Sequence, residues 1–284
     1  MLTGPGARPS TYSAFGPGGP GRTEHSVTDT TSVHPRISDE ELPRLMSLLE
    51  GADTVELKLT VPDGSQRSAV VALGMDPLDA NLRQVFFFDT PDLALNRHGV
   101  IVRARRAQGG VEDFVVKLRP VVPNELPAKL RKLPGFGVEV DAMPGGFVCS
   151  GRLKESLRTG KVKEAVLGTR LVRTLFSKQQ RAFLADHAPE GVGIEDLVVL
   201  GPITVLKLKF VPGDYGRRLV AELWNYPDGS RILELSTKCA PAEAFDVAAR
   251  TRAFLAGRGI DLSGEQQTKT KSALEFFSRE VAGT

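Results

Sequence analysis

Cysteine, histidine and tryptophan are scarce in this chain, and each scarcity removes a class of function. The two cysteines, Cys149 and Cys239, are too few for a disulfide scaffold and form no C-x-x-C pair, so a reduced, cytoplasmic setting is expected. The four histidines, His25, His34, His98 and His187, are scattered, and no H-E-x-x-H string exists, which excludes a zincin-type protease. No apolar run approaches the roughly 20 residues of a membrane span, and the N-terminus has no apolar core of a secretory signal. A charge excess is missing too: Lys and Arg total 37, Asp and Glu 34, a net of +3 over 284 residues. That balance argues against a long nucleic acid bound on the outside and against a polybasic membrane binder. What is present, 41% apolar and 25% charged residues, suffices for a large core.

Composition divides the chain at residue 38. Residues 1–37 are rich in Gly, Pro, Ser and Thr, bury too little to offset their ordering entropy, and are expected to form a disordered extension. Residues 38–284 are expected to form a single domain. Ser38 with Glu41 has the form of a capping box before a short helix ending near Gly51. From Thr54 the period switches to two. Strands are expected near 54–59, 85–89, 100–106, 114–119, 138–140, 171–176, 203–210, 219–224 and 231–238. Gly109-Gly110 and the 225–230 segment read as hairpin turns. Helices are expected over 91–97, as an insert over 152–167, from Ser177 (a second capping box with Gln180) to before Pro189, from Pro241 to about Ala256, and from about Gly264 to Glu280.

The charges on these strands fall on one face. Residues two apart in a strand point the same way, so Glu56 pairs with Lys58, Arg103 with Arg105, Lys117 with Arg119, Glu139 with Asp141, and Lys207 with Lys209. Glu222 has Trp224 beside it, and Glu234 has Lys238 two positions beyond Ser236. The opposite face is apolar: Val55, Leu57, Leu59; Phe114, Val116, Leu118; Leu206, Leu208, Phe210. A solvated outer face is the plain explanation for any one strand. For the set, like charges side by side are unfavourable without a counter-anion. Turned inward in a closed barrel, the stripe would make a cationic channel holding a few carboxylates. Forked Arg and point-charge Lys suit phosphate oxygens. Carboxylates tolerate the same anion when a divalent cation lies between them.

These residues also stand in a familiar order. The segment Thr54-Val55-Glu56-Leu57-Lys58 is similar to the E-x-E-x-K strand of the CYTH domain of triphosphate tunnel metalloenzymes, with Thr54 replacing the first Glu. Phe88-Asp89-Thr90-Pro91 resembles that family's aromatic-Asp-Thr-Pro segment. Gly99 to Arg105 resembles its G-x-x-L-R-x-R strand, with Val102 for the Leu, and Val115 to Arg119 resembles its L-T-x-K strand. Glu139-Val140-Asp141 lies where the family has an acidic strand. The resemblance is specific over 54–141 and looser beyond.

The resemblance implies an α+β fold, a closed antiparallel eight-stranded barrel with flanking helices. It implies a metal-dependent phosphohydrolase acting on a small triphosphate, polyphosphate or nucleotide, with Mg²⁺ or Mn²⁺ as cofactor. The alternatives are an adenylyl cyclase of the same type and, because Thr54 replaces a Glu, a non-catalytic polyphosphate- or nucleotide-binding tunnel. The implied catalytic residues are Glu56, Lys58 and Lys117. Lys58, Arg103, Arg105, Lys117, Arg119, Lys207, Lys209 and Lys238 are the implied phosphate ligands. Glu56, Glu139, Asp141, Glu222 and Glu234 are the implied metal ligands. Arg173 is a further tunnel candidate, whereas Lys178 and Arg181 read as helix surface. Asp89 and Thr90 read as helix caps, Trp224 as a packed aromatic with base stacking as the alternative, His98 as exposed, and both cysteines as structural. Lys269 and Lys271 on the final helix read as solvated, with plugging one tunnel mouth and touching phosphate as the alternative.

Overall fold

The structure, a computed structural model, describes residues 41–262 and 269–282. The expected extension over 1–37, the cap at Ser38 and the expected start of the last helix at Gly264 lie outside the described residues. The strands are β1 (Thr54–Val61), β2 (Asn81–Asp89), β3 (Val100–Ala107), β4 (Glu112–Leu118), β5 (Phe136–Met143), β6 (Gly146–Leu157), β7 (Val198–Phe210), β8 (Leu219–Asn225) and β9 (Arg231–Cys239). They close into a barrel in the order β1-β5-β6-β4-β3-β2-β7-β8-β9, with β9 paired back onto β1. The helices are α1 (Glu41–Glu50), α2 (Gln66–Ala72), α3 (Ala94–Arg97), α4 (Ala128–Arg131), α5 (Lys161–Val166), α6 (Lys178–Ala185), α7 (Ala244–Gly257) and α8 (Lys269–Ala282).

Three expectations are corrected. The described barrel has nine strands, not eight, and it is mixed: β1 and β5 run parallel, with Glu56 opposite Asp141. The parallel pair arises because the proline-containing loop after β4 carries the chain past the next position. β5 thus lies beside β1, and the β5–β6 hairpin returns β6 to the side of β4. The expected helix over 152–167 is instead strand β6 followed by the short α5. Ser150, Arg152 and Lys154 alternate with Gly151, Leu153 and Glu155, a period of two hidden among charged residues that also suit a helix. The expected strand over 171–176 is a 3₁₀ turn, Val172–Leu175, whose Leu175 is buried with Phe176 on the outside of the barrel. A closed barrel has no free edge for a further strand.

The apolar strand face points outward and is covered. α5 and α6 help bury Phe114, Val116 and Leu153; α2 and α7 cover Leu59, Leu219 and Leu235; α1 covers Val55, Val138 and Val140. The capping box of α6 is present, and Gln180 reaches further to donate to the carbonyls of Phe114 and Leu153. α8 differs from the other helices. Its Ala273, Leu274 and Phe277 pack against Val85, Phe87, Ile203, Val205, Trp224 and Ile232. These residues lie on the inward face, where β8 ends and β9 begins. α8 therefore stops one end of the barrel with an apolar plug. Full burial of a Leu or Phe side chain contributes roughly 1.5–3 kcal/mol.

One backbone position locks β3 to the loop after β4. Gly99 has φ +73°, and its carbonyl accepts the Arg119 N–H at 2.8 Å. A Cβ there would lie 2.6 Å from the Arg119 carbonyl oxygen. Gly99→Ala should therefore lower stability by about 1–3 kcal/mol, read as a drop in urea midpoint. An unchanged midpoint would mean that the contact does not constrain the loop.

Candidate active site

Alternation and barrel closure together place the charged stripe inside. Three groups of side chains result. The first surrounds Asp141, a carboxylate with 0% exposure. Lys58 Nζ lies 2.8 Å from Asp141 Oδ1 and 3.3 Å from Glu56 Oε2. Lys117 and Arg119 approach Asp141 Oδ2 at 3.5 and 3.6 Å. Apart from Lys58, no described side chain donates a hydrogen bond to either Asp141 oxygen. Glu56, Glu139 and Asp141 each bring a carboxylate oxygen to within 4.8 Å of the other two. Lys238, half-exposed, bonds Glu139 and lies 3.7 Å from Glu56. Thr54 stands opposite Glu139 in the parallel register and its hydroxyl donates to Glu139 Oε2 at 3.4 Å.

The second group is Glu222 and Glu234, directly opposite each other on β8 and β9. Lys207 Nζ donates to Glu222 Oε1 at 2.6 Å. Lys269, from the first turn of α8, donates to Glu222 Oε2 at 2.6 Å and to Glu234 Oε1 at 2.7 Å. Trp224 donates its indole N–H to Glu222 at 3.2 Å, and the Lys269 ammonium sits 4.9 Å from the centre of its ring. Trp224 is thus packed under α8, with its ring face taken by Lys269. Lys271 is exposed and pairs with Glu275 on the helix surface.

The third group is arginine-rich. Arg105 grips Asp113 through Nε and a terminal nitrogen, both at 3.0 Å, and Lys154 reaches the same carboxylate at 3.6 Å. Arg103 Nε is buried without a hydrogen-bond partner among the described residues. Arg83 stands near enough for Arg105 to lower its pKa, after burial, which is the larger cause.

The structure thus separates the five expected metal ligands. Glu56, Glu139 and Asp141 meet, whereas Glu222 and Glu234 are engaged elsewhere by Lys207 and Lys269. Lys209 shares the face of Lys207 but is exposed near the strand end. Arg173 is not in the tunnel; it pairs with exposed Glu195 on the outside. Asp89 accepts the N–H groups of Leu95 and Asn96, and the Thr90 hydroxyl accepts that of Ala94, so both cap α3. His98 is exposed, and both cysteines are buried. Sequence reading missed Arg83, Asp113 and Lys154. Extending the alternation by one step on β2 and β4 would have found the first two. Lys154 was hidden by the helical reading of its strand.

The tunnel holds its charges unevenly. Burial opposes the charged form of Asp141, yet Lys58, Lys117 and Arg119 hold its carboxyl well below the usual carboxylate range. Glu56 is also lowered against the pull of burial, mainly by Lys58 and Lys238. Burial would lower Lys58, but Asp141 and Glu56 raise it above its ordinary value. Two cations go the other way. Burial, only partly offset by Asp141 and reinforced by Lys58 and Arg119, pushes Lys117 down to about 8. Burial and the neighbouring Arg105 push Arg103 down to about 10. For these two cations the neighbouring carboxylates do not offset the cost of burial.

No protein-family model matches the sequence, and no curated protein does. Solved structures that share the fold include the following two. A candidate adenylate cyclase from Bacillus halodurans superposes with a TM-score of 0.53 at 14% identity, over 77% of this chain and 98% of that one. A candidate adenylyl cyclase from Hippeastrum, described as having a dominant triphosphatase activity, superposes with a TM-score of 0.55 at 19% identity, over 75% of this chain and 91% of that one. At such identities the likeness establishes the fold. It is a closed barrel shared with these two structures. Among the described residues no helix is long and apolar enough to cross a membrane.

Lys117 yields a stability test. Its folded pKa lies below the unfolded value of about 10.4, so the unfolded state binds the proton more readily between about pH 8 and 10. The cost of charging it is therefore full below pH 8 and fades as pH rises. Lys117→Met should raise stability without ligand, on the order of 1–3 kcal/mol at pH 7, with the gain shrinking toward pH 10. Chemical denaturation across that range reads it, and a destabilised variant at pH 7 would show that Lys117 is fully compensated by Asp141.

Proposed function

We propose that this protein is a metal-dependent phosphohydrolase that acts on a triphosphate or polyphosphate held in the tunnel. The carrying observation is the convergence of Glu56, Glu139 and Asp141 beside Lys58, Lys117 and Arg119. Hard carboxylate oxygens at this spacing suit Mg²⁺ or Mn²⁺. Glu56, Glu139 and Asp141 would hold the ion, and when bound it would neutralise phosphate charge and polarise a phosphoryl oxygen. The replacement of the first Glu by Thr54 does not remove the site's third carboxylate. The parallel β1–β5 register sets Glu139 across from Thr54 and supplies one from the next strand.

The chain's own cations do the remaining work. Lys117, Arg119 and Lys58 line one side of the acidic cluster, while Arg83, Arg103, Arg105 and Lys207 extend the positive surface along the inner wall. A chain of phosphates would supply the counter-charge that Arg103 and Lys117, whose charged forms burial disfavours, lack among the neighbouring carboxylates. Phosphoryl transfer is mostly positioning and charge stabilisation, so fixed cations on rigid strands are the needed equipment. The cyclase alternative needs a place for a nucleoside. Trp224, the residue able to stack on a base, is covered by α8 and faces Lys269, which favours phosphate-only substrates in the interior. The binding-module alternative shares every ligand contact and differs only in turnover.

Purified protein with Mg²⁺ or Mn²⁺ should release phosphate from tripolyphosphate. Asp141→Asn and Glu56→Gln should lower the rate by at least about 10²-fold, and Arg103→Met should mainly weaken binding. Thermal stabilisation by tripolyphosphate with no phosphate released would establish the binding module instead. Cyclic AMP formed from ATP would establish the cyclase.

A further inference from the structure

The tunnel contains two acidic groups, and they are treated differently. At Glu56, Glu139 and Asp141 three carboxylates converge, each with an oxygen within 4.8 Å of the other two, and the ammonium among them, Lys58, comes from the barrel wall itself, 2.8 Å from Asp141 and 3.3 Å from Glu56. At Glu222 and Glu234 there are only two carboxylates, and the cation between them comes from outside the strands, on α8. Two carboxylates directly opposite on adjacent strands repel and require a cation between them. Lys269 Nζ stands there, 2.6 Å from Glu222 Oε2 and 2.7 Å from Glu234 Oε1. Both Glu222 oxygens are engaged, Oε1 by Lys207 and Oε2 by Lys269 and the Trp224 indole.

The ammonium is also held from behind. The Tyr226 hydroxyl donates to the Lys269 carbonyl oxygen at 3.0 Å, and the Trp224 ring face lies 4.9 Å from Nζ. The next turns of α8 anchor it through Ala273, Leu274 and Phe277 in the barrel end. The Lys269 side chain is 12% exposed. A surface lysine that happened to find a carboxylate would have none of this support. Two carboxylates converging on one point are what a divalent ion bridges in a two-ion phosphoryl-transfer site. Here a side chain of the same protein fills that point with a single positive charge.

We infer that Lys269 is a built-in cation occupying the place of a divalent ion between Glu222 and Glu234, so that this acidic pair is closed to metal in the native protein. The inference uses the proposed phosphohydrolase reading only for the ion at Glu56, Glu139 and Asp141; the Lys269 contacts stand without it. One consequence concerns specificity. The tunnel's metal can engage phosphate near Asp141, while the Glu222 end offers an ammonium, which binds phosphate oxygens but cannot coordinate them.

The experiment counts Mn²⁺ on the full-length protein, without phosphate, by calorimetry and by electron paramagnetic resonance. Lys269→Ala should bind one more Mn²⁺ per chain than the wild type, and Lys269→Ala with Glu234→Gln should lose that extra ion. Without metal the melting temperature of Lys269→Ala should fall, and Mn²⁺ should restore it where KCl of equal ionic strength does not. If the alanine variant does not fold, Lys269→Ser provides the same comparison. Equal counts in wild type and variant would overturn the inference, as would a wild-type ion that Glu234→Gln removes. A wild-type count of zero with one ion in the variant would support it while removing the metal from the proposed function.

Discussion

The carboxylate of Asp141, with no solvent exposure, is the interaction on which the rest of this tunnel depends. A buried carboxylate alone costs several kcal/mol in lost hydration. The barrel meets that cost with Lys58 from β1, Lys117 from β4 and Arg119 just beyond it. The supply then exceeds the need. Lys58 is raised by its carboxylate partners, but Lys117 is pushed down to about 8 and Arg103 to about 10. The interior thus holds more buried cation than its own carboxylates can satisfy.

That arrangement depends on closure. On an open sheet the charged face would meet water, and its like-charge pairs would be screened and of little consequence. Closing β9 onto β1 turns the same alternation into an inside and an outside. The apolar face then packs under α1, α2, α5, α6 and α7. Packing around the barrel holds the tunnel cations on rigid strands instead of mobile loops. Such rigidity is what a site working by fixed electrostatics requires.

The two ends of the barrel are unequal for a simple reason. One end is lined by Val85, Phe87, Ile203, Val205, Trp224 and Ile232, and an apolar lining needs an apolar cover, which α8 provides. Docking that helix inevitably places its first residue near Glu222 and Glu234, and a lysine there resolves the repulsion between them. The opposite ends of the same strands carry exposed Lys209 and Lys238. One end of the barrel is therefore plugged by an apolar helix, and the other carries exposed lysines.

The sequence by itself determined the alternation, and with it which side chains share a face. Glu56 with Lys58, Lys117 with Arg119 and Glu139 with Asp141 were legible because strand geometry depends only on local spacing. The helix caps at Asp89, Thr90 and Ser177 were legible for the same reason. The extra strand, the parallel β1–β5 pair and the true nature of β6 were not, because which strands become neighbours is a long-range choice. That choice decided that Glu139 stands beside Thr54 while Glu222 and Glu234 stand apart from it. It also decided that a lysine over 30 residues further along the chain, Lys269, completes the second acidic pair. Sequence spacing carries no information about such partners; only the closed tertiary structure brings their charges within reach of one another.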